Sequence, residues 1–367
     1  MPEVRAHRSG TFCWADLPTT DLDHAIAFYS ELFNWRAVDA ETPEGFGRYV
    51  LFLKDGKTVA ATYEMEAELR DNGVPAHWES FLATKAVDEQ CARAAELGAT
   101  VIAPPFDMPG VARMAVLQDP EGATFTLYQA EGEIGSQLLN EPGALCWFEL
   151  YSRDLEVGPK FYADLFGYEL KPLKGPGGEP YVMFGIGKAV AAGAMQIRPE
   201  WGQMPPAWMP YFQTEDLEAA VARAESHGGA MLMAPMDLPY VGRCALLQDP
   251  QGAIFMALQR GAAPAKPAPA KAEVVEEVEE VEEVEALEEI DDAEEVAQAD
   301  VDAGDDDDDD IAAQVEADLV SADAGEPDEA EADDDEADAD AGDETADDDE
   351  TPADEADADD DANHHNA

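Results

Sequence analysis

Two acidic residues stand at equivalent places in the two halves of the chain, each two residues after a tryptophan. Asp16 follows Trp14 and Glu149 follows Trp147, in stretches whose alternating apolar pattern predicts strands. Side chains two residues apart on a strand point to the same face. Each carboxylate is therefore expected to lie beside its indole, where it could orient a polar ligand or accept a proton.

Two arginines repeat in the same way, Arg113 in the first half and Arg243 in the second. One interpretation pairs Asp16 with Arg113 and Glu149 with Arg243, so that each ion pair holds one strand to another. The other places these charges in a cavity, where a neighbouring arginine would keep a buried carboxylate ionised. We favour the structural pairing, and the cavity remains the alternative.

Four tryptophans on predicted strands allow two interpretations. Trp14, Trp78, Trp147 and Trp208 could fill the core, as aromatic residues on strands most often do. Alternatively, Trp14 and Trp147 could form the wall of a pocket that stacks against a flat or apolar molecule.

The elements that position these residues come from an internal repeat. Residues 11–35 are repeated at 144–168, and residues 113–129 at 243–259, with three fewer residues between the matched ends of the second copy. In the first copy a strand at 11–17 precedes a helix and three short strands, and a strand at 78–83 begins the same order again. Each copy thus predicts two βαβββ units, an α+β fold, over domains at 8–132 and 140–260.

This arrangement resembles the vicinal oxygen chelate superfamily, which includes glyoxalases, bleomycin-resistance proteins and extradiol dioxygenases. The resemblance rests on the helix motifs at 28–33 and 161–166 and on the closing turns at 119–122 and 249–252, and it covers nearly all of 8–260. The sequence also looks like a tandem, glyoxalase-like bacterial subgroup. The resemblance implies curved mixed sheets that enclose a concave site in each domain or between domains.

Members of this superfamily that catalyse reactions usually hold a divalent metal with His, Gln or Glu on the first strand, His or Glu on the fifth and Glu on the eighth. Aligned on this pattern, the chain has Trp14 and Trp147 on the first strand and Thr126 and Met256 on the eighth. Indole cannot ligate a metal, and neither threonine nor methionine is an expected ligand of a catalytic divalent ion. We therefore predict no metal cofactor of the family type.

The fifth strand leaves a rearranged metal site open as an alternative. Glu79 or His77 could contribute in the first copy, whereas the second copy offers Trp208 and Pro210. A metal in such a site would make the protein a glyoxalase-like lyase or a dioxygenase. Its ligands would come from Asp16, His77 or Glu79, and Glu149.

Composition separates a folded part from an acidic tail. The last aromatic residue is Phe255, and residues 261–367 contain only two basic residues, Lys266 and Lys271, in a chain whose net charge is −62. Such a segment cannot bury enough apolar surface to fold. We predict a Pro/Ala linker at 261–272 and a disordered tail at 273–367, with a basic protein as a possible partner.

The same composition argues against several classes of partner. A strongly acidic chain repels nucleic acid and anionic membranes, and no apolar run is long enough to span a bilayer. The start of the sequence lacks a secretory signal, and the widely spaced cysteines fit packed thiols. We therefore expect a cytoplasmic protein.

The leading hypothesis is a metal-independent protein that binds a small molecule in aromatic-lined pockets. The rivals are the enzyme with a rearranged metal site and a scaffold whose acidic tail recruits partners. The predicted ligand-binding residues are Trp14, Asp16, Glu79, Arg113, Trp147, Glu149, Trp208 and Arg243.

Overall fold

A computed structural model describes residues 3–42, 47–175, 177–238 and 241–261, which form two eight-stranded mixed sheets. The first sheet contains β1 (Phe12–Thr19), β2 (Arg36–Asp39), β3 (Tyr49–Lys54), β4 (Lys57–Glu64), β5 (Glu79–Ala83), β6 (Thr100–Met108), β7 (Ala112–Gln118) and β8 (Thr124–Ala130). The second contains β9 (Leu145–Ser152), β10 (Glu169–Lys174), β11 (Pro180–Ile186), β12 (Ala189–Gln196), β13 (Ala207–Gln213), β14 (Ala230–Leu238), β15 (Gly242–Gln248) and β16 (Ile254–Arg260). The helices are α1 (Leu22–Phe33), α2 (Ala67–Asp71), α3 (Val87–Glu96), α4 (Gly158–Phe166) and α5 (Leu217–Ser226), with a 3-10 turn at Pro199–Trp201.

Strand order confirms the predicted α+β fold of tandem βαβββ modules. The first sheet runs β2-β3-β4-β1-β5-β8-β7-β6, and the second repeats this order as β10-β11-β12-β9-β13-β16-β15-β14. β1 pairs with β4 in parallel and with β5 in antiparallel orientation. The two modules of each domain therefore meet at the middle of one continuous sheet, where β1 and β5 lie side by side.

Helix α1 shows how the sequence determines where an element begins and ends and which of its faces is buried. Asp21 caps its start by accepting the backbone N–H of His24 at 3.0 Å. Asn34 ends it in the left-handed conformation, at a φ of 56°. Between these caps, Tyr29 and Leu32 belong to a stripe that is buried against the sheet.

All four long helices lie between the two sheets, in one core that both domains share. Across this core the rings of Phe12 and Phe148 stack with centroids 4.1 Å apart. The Trp35 Nε1–H donates to the Gly143 carbonyl at 2.7 Å, which ties the first domain to the start of the second. Among the described residues, none of these four helices packs on the opposite face of either sheet, and we call that face the helix-free face.

The first sheet runs from Phe12 to Ala130 and the second from Leu145 to Arg260. The predicted linker beyond Gly261 and the predicted acidic tail lie outside the described residues. Within those residues, no helix has both the length and the apolar character needed to cross a bilayer.

Candidate ligand-binding site

The helix-free face of the first sheet carries a separate cluster of packed side chains. Trp14 is buried there and belongs to this cluster, not to the core between the sheets. The cluster consists of Cys13, Trp14, Ala61, Phe81, Ala83, Ala112 and Tyr128. Trp14 is therefore placed on the face where the resemblance puts the site, with only 6% of its surface exposed.

Asp16 lies on this face directly opposite Glu79, since the two residues are register partners between β1 and β5. The Tyr49 hydroxyl donates to Asp16 Oδ2 at 3.0 Å, and the Trp14 Nε1–H donates to the same hydroxyl at 3.2 Å. The other oxygen of Asp16, Oδ1, is buried and accepts no hydrogen bond from a protein N–H or a tyrosine hydroxyl, although a protonated Asp16 carboxyl group can itself donate to Glu79. A buried carboxylate oxygen without a donor is an uncommon and unfavourable arrangement.

Partly exposed side chains surround this carboxylate. The Tyr63 hydroxyl donates to Glu79 Oε2 at 3.1 Å, and His77 Nε2 lies 3.8 Å from Glu79 Oε1. The Tyr49 and Tyr63 rings lie nearly parallel, with centroids 5.9 Å apart and planes 27° from each other. The arrangement is a pair of carboxyl groups bordered by two aromatic rings.

Burial and charge set the protonation of this group. Burial raises the pKa of Asp16 well above its ordinary value, and the neighbouring Glu79 raises it further, while the bond from Tyr49 acts in the opposite direction. The pKa of Tyr49 is raised as well, first by burial and then by Asp16. Tyr49 therefore stays a hydrogen-bond donor at every physiological pH.

The second domain places a carboxylate at the matching position but surrounds it differently. Glu149 is register partner to Met209, where the first domain has Glu79. The Tyr211 hydroxyl donates to Glu149 Oε2, and the Tyr181 hydroxyl also forms a hydrogen bond with this carboxyl group. Burial raises the pKa of Glu149, and both tyrosine bonds oppose that change. The protein itself therefore supplies hydrogen-bond donors to this carboxylate.

A glycine makes room for one of these tyrosines. Gly193 on β12 is register partner to Glu149. A Cβ atom at this position would lie 1.8 Å from the Tyr181 hydroxyl oxygen and 3.1 Å from the Trp147 ring. The corresponding partner of Asp16 in the first domain is Ala61. The absence of a side chain at Gly193 therefore accommodates the position that Tyr181 takes, whereas Tyr49 makes the equivalent bond beside Ala61.

The predicted pairing of Asp16 with Arg113 and of Glu149 with Arg243 is wrong. Arg113 binds Asp88 at 2.7 Å and also pairs with Asp107. The strand order explains this, since β8 and β5 lie between β7 and β1. Arg113 also points to the helix side, because the next residue, Met114, packs on the helix-free face.

Arg243 behaves in the same way in the second domain. It pairs with Glu218 of α5 and with Asp237 of β14, the latter at 3.1 Å. Neither arginine is therefore brought to the candidate site.

Trp208 is placed in the shared core, where 4% of it is exposed. Its ring lies 4.6 Å from that of Phe12 and 5.0 Å from that of Tyr162. The assignment of Trp208 and Pro210 to the fifth-strand ligand positions is wrong by one residue, since Met209 stands opposite Glu149. The core interpretation thus holds for Trp208, whereas Trp14 and Trp147 lie on the helix-free faces.

The residues at the family's metal positions do not fit a divalent ion. In the first domain they offer the Trp14 N–H, the Glu79 carboxylate and the Thr126 hydroxyl, which faces the site opposite Phe81. One carboxylate is far from the three or four donors that such an ion requires. Among the residues that the structure describes, no three His, Cys, Asp or Glu side chains converge on a possible metal position.

The rearranged metal site fails for a different reason. Glu149 belongs to the helix-free face of the second sheet, and the shared core separates it from Asp16. The two carboxylates therefore cannot bind the same ion.

The tyrosines of the site were not among the predicted residues. Tyr49 is the first residue of β3 and Tyr181 the second residue of β11, at matching places, so one residue type is repeated in both copies. Tyr63 and Tyr211, in contrast, have no tyrosine at the matching position of the other domain. The repeat could have indicated Tyr49 and Tyr181, but Tyr63 and Tyr211 are found only from the register between strands.

Comparison with known proteins agrees with this architecture. The profile of the Glyoxalase/Bleomycin resistance protein/Dioxygenase superfamily matches residues 11–127 and 144–256. The chain is 36% identical over 269 residues to "Putative glyoxylase CFP32" of Mycobacterium tuberculosis, covering 73% of this chain and 99% of that protein. It is 33% identical over 261 residues to "Anthracycline biosynthesis protein DauV" of Streptomyces sp. strain C5, covering 68% and 93%.

A solved structure shares the fold at low sequence identity. The Mn(II)-bound glyoxalase of Novosphingobium aromaticivorans has a TM-score of 0.50 and 16% identity, with 69% of this chain and 82% of that chain covered. The predicted resemblance is confirmed by the two profile matches, one in each sheet. The chain belongs to the Glyoxalase/Bleomycin resistance protein/Dioxygenase superfamily.

Proposed function

We propose that the helix-free face of the first domain binds a flat aromatic molecule that carries a hydroxyl or amino group, and that it does so without a metal. The observation that carries this proposal is the buried Asp16 Oδ1, which lacks a donor when Asp16 is ionised. A hydroxyl or amino group of a ligand would supply the missing hydrogen bond. Leaving such a group unsatisfied costs about 1–3 kcal/mol, which a ligand donor would recover on binding.

The aromatic part of the ligand follows from the tyrosines around this carboxylate. Tyr49 and Tyr63 are only partly buried, and their rings lie nearly parallel beside the Asp16 and Glu79 carboxyl groups. Aromatic rings favour offset stacking with a flat partner. The name of the Streptomyces relative ties that protein to anthracycline biosynthesis, and hydroxylated polycyclic aromatic molecules have the shape that this face would take.

Metal independence is supported by the donor chemistry of the site. The first-strand position holds an indole that donates its N–H to Tyr49, so it offers no lone pair to an ion. A cytoplasmic setting belongs to the same proposal. All four cysteines are free and buried, which fits a reducing compartment.

Titration of intrinsic tryptophan fluorescence tests this function. A panel of naphthols and naphthylamines is added to the full chain, and binding is expected to change the emission of Trp14. Asp16→Asn and Tyr49→Phe are expected to weaken binding about tenfold, since each disrupts the hydrogen-bond network at the carboxylate.

The matched control is Trp78→Phe, which changes an indole in the shared core and leaves the helix-free face intact. It should bind the panel as the wild type does. The proposed site would be excluded if binding were unaffected by Asp16→Asn and Tyr49→Phe, or if binding required an added divalent ion.

A further inference from the structure

We propose that the second domain carries a separate pocket for uncharged, flat apolar molecules, at the margin of its helix-free face. This pocket is distinct from the first domain's site and does not depend on it. The supporting observation is a cavity of about 370 Å³ that is broadly open to solvent. Its walls are formed by Glu179, Pro180, Gln196, Ile197, Arg198 and Pro199.

The cavity continues the helix-free face of the second sheet. Gly193 and Met195 alternate along β12 on that face, and Ile197 follows in the same alternation and packs in the same cluster. Beyond it, the ring of Trp201 lies 5.7 Å from that of Tyr151, which is part of the cluster. A molecule in the cavity would therefore contact Ile197 and lie near an aromatic pair.

The charges around this cavity balance each other. Arg198 Nη2 pairs with Glu179 Oε1 at 2.8 Å, and the Arg198 guanidinium carbon lies 5.6 Å from the centroid of the Trp201 ring. Further in, Glu149 already accepts hydrogen bonds from Tyr211 and Tyr181. An added anion would meet the Glu179 carboxylate, and an added cation would meet Arg198. An uncharged ligand would disturb neither partner.

The packed cluster that adjoins the cavity, rather than the cavity wall itself, is rich in methionine. Met195, Met209 and Met256 occupy the positions at which the first domain has Tyr63, Glu79 and Thr126. The cluster as a whole contains or contacts Met195, Met204, Met209, Met233, Met236 and Met256. Thioether side chains are flexible and polarisable, and they adapt to apolar and aromatic surfaces of varied shape. The duplicated face has thus exchanged polar groups for adaptable apolar ones.

The experiment compares two probes that share one skeleton. Pyrene is uncharged and carries no hydrogen-bond donor, so it does not match the ligand proposed for the first domain, and pyrene-1-sulfonate is its anionic counterpart. The emission of both changes in an apolar site, and both are titrated into the full chain at about 0.5 M salt, where the general repulsion of anions by the acidic chain is screened. The uncharged probe is expected to bind at least about tenfold more tightly than the sulfonate.

Two variants locate the site, and one serves as the control. Trp201→Ala removes a ring that is 36% exposed, so the fold should tolerate it, and Ile197→Asp places a charge in the cavity wall. Each substitution is expected to weaken the binding of the uncharged probe about tenfold. Far-ultraviolet circular dichroism confirms that each variant is folded. Trp14→Phe, on the first domain's face, should leave this binding unchanged.

Three results would overturn the proposal: no binding of the uncharged probe, equal binding of the sulfonate, or binding that survives Trp201→Ala. If Trp14→Phe abolished the binding while Trp201→Ala did not, the probe would be bound at the first domain's site. That result would support the function proposed for the first domain and contradict the second pocket.

Discussion

The Tyr29 hydroxyl donates to Asp249 Oδ2 at 3.1 Å, and this bond joins a helix of the first domain to a turn of the second. The relationship is reciprocal, because the Tyr162 hydroxyl donates to Asp119 Oδ2 at 3.1 Å. In both turns the other carboxylate oxygen accepts backbone N–H groups, such as that of Ala123 at 2.8 Å. Each copy's helix motif thus completes the closing turn of the other copy.

Tyr29→Phe and Tyr162→Phe are each expected to lower the free energy of unfolding by about 1–3 kcal/mol, because each leaves a buried carboxylate oxygen without its donor. Urea denaturation followed by circular dichroism measures the change. Tyr63→Phe, which removes a partly exposed hydroxyl, is the control and should cost less. If both core variants unfolded at the wild-type midpoint, these bonds would not be holding the domains together.

Asp16→Asn is expected to stabilise the protein increasingly as the pH rises. The folded-state pKa of Asp16 is raised by burial and by Glu79, so the folded protein binds this proton more tightly than the unfolded chain does. Wild type therefore loses stability from the ordinary carboxyl pKa, about 4, up through the raised folded value. The variant has no carboxyl group at position 16, so it does not lose this stability as the pH rises.

Thermal unfolding of both proteins between about pH 3 and pH 8 measures this difference. Their midpoints should converge at the acidic end, where Asp16 is protonated in both states. A constant difference across the range would mean that Asp16 does not titrate as proposed.

Gly193→Ala is expected to destabilise the protein by about 1–3 kcal/mol, because its Cβ would overlap the Tyr181 hydroxyl. The emission of the adjacent Trp147 should change as well. The matched substitution in the first domain, Ala61→Gly, should cost only about 1 kcal/mol through lost methyl burial and added chain freedom. Equal effects at the two positions would show that Tyr181 moves aside freely.

Chelation is expected to leave the protein unaffected. Dialysis against EDTA, followed by addition of Mn²⁺, Ni²⁺ or Zn²⁺, should not shift the thermal midpoint, because the family's ligand positions lack the donors that such an ion needs. Elemental analysis of protein purified without an affinity tag supplies the second measurement. A stoichiometric metal whose removal lowered the midpoint would contradict the proposed binding mode.

The repeat and its hydrophobic periods were sufficient to predict the strands, the helices and their order. Such patterns are local, since they depend on which face of each element is buried. The strand predicted at 11–17 lies at Phe12–Thr19 in the structure, and the strand predicted at 78–83 lies at Glu79–Ala83.

The contacts of the site could not be predicted with the same reliability, because they depend on register between strands that are distant in sequence. A shift of one residue moves every side chain to the opposite face. This is why Trp208 was assigned to the site in place of Met209, and why Arg113 was paired with a carboxylate three strands away. The tyrosine that binds Asp16 comes from β3, 33 residues further along the chain.

The common core between the sheets gives each helix-free face its own solvent boundary. Because the core lies between the two faces, a residue substituted on one face does not alter the side chains of the other. Both copies still contribute to a single folding unit. Duplication in this scaffold thus yields two sheet faces whose side chains can change independently of each other.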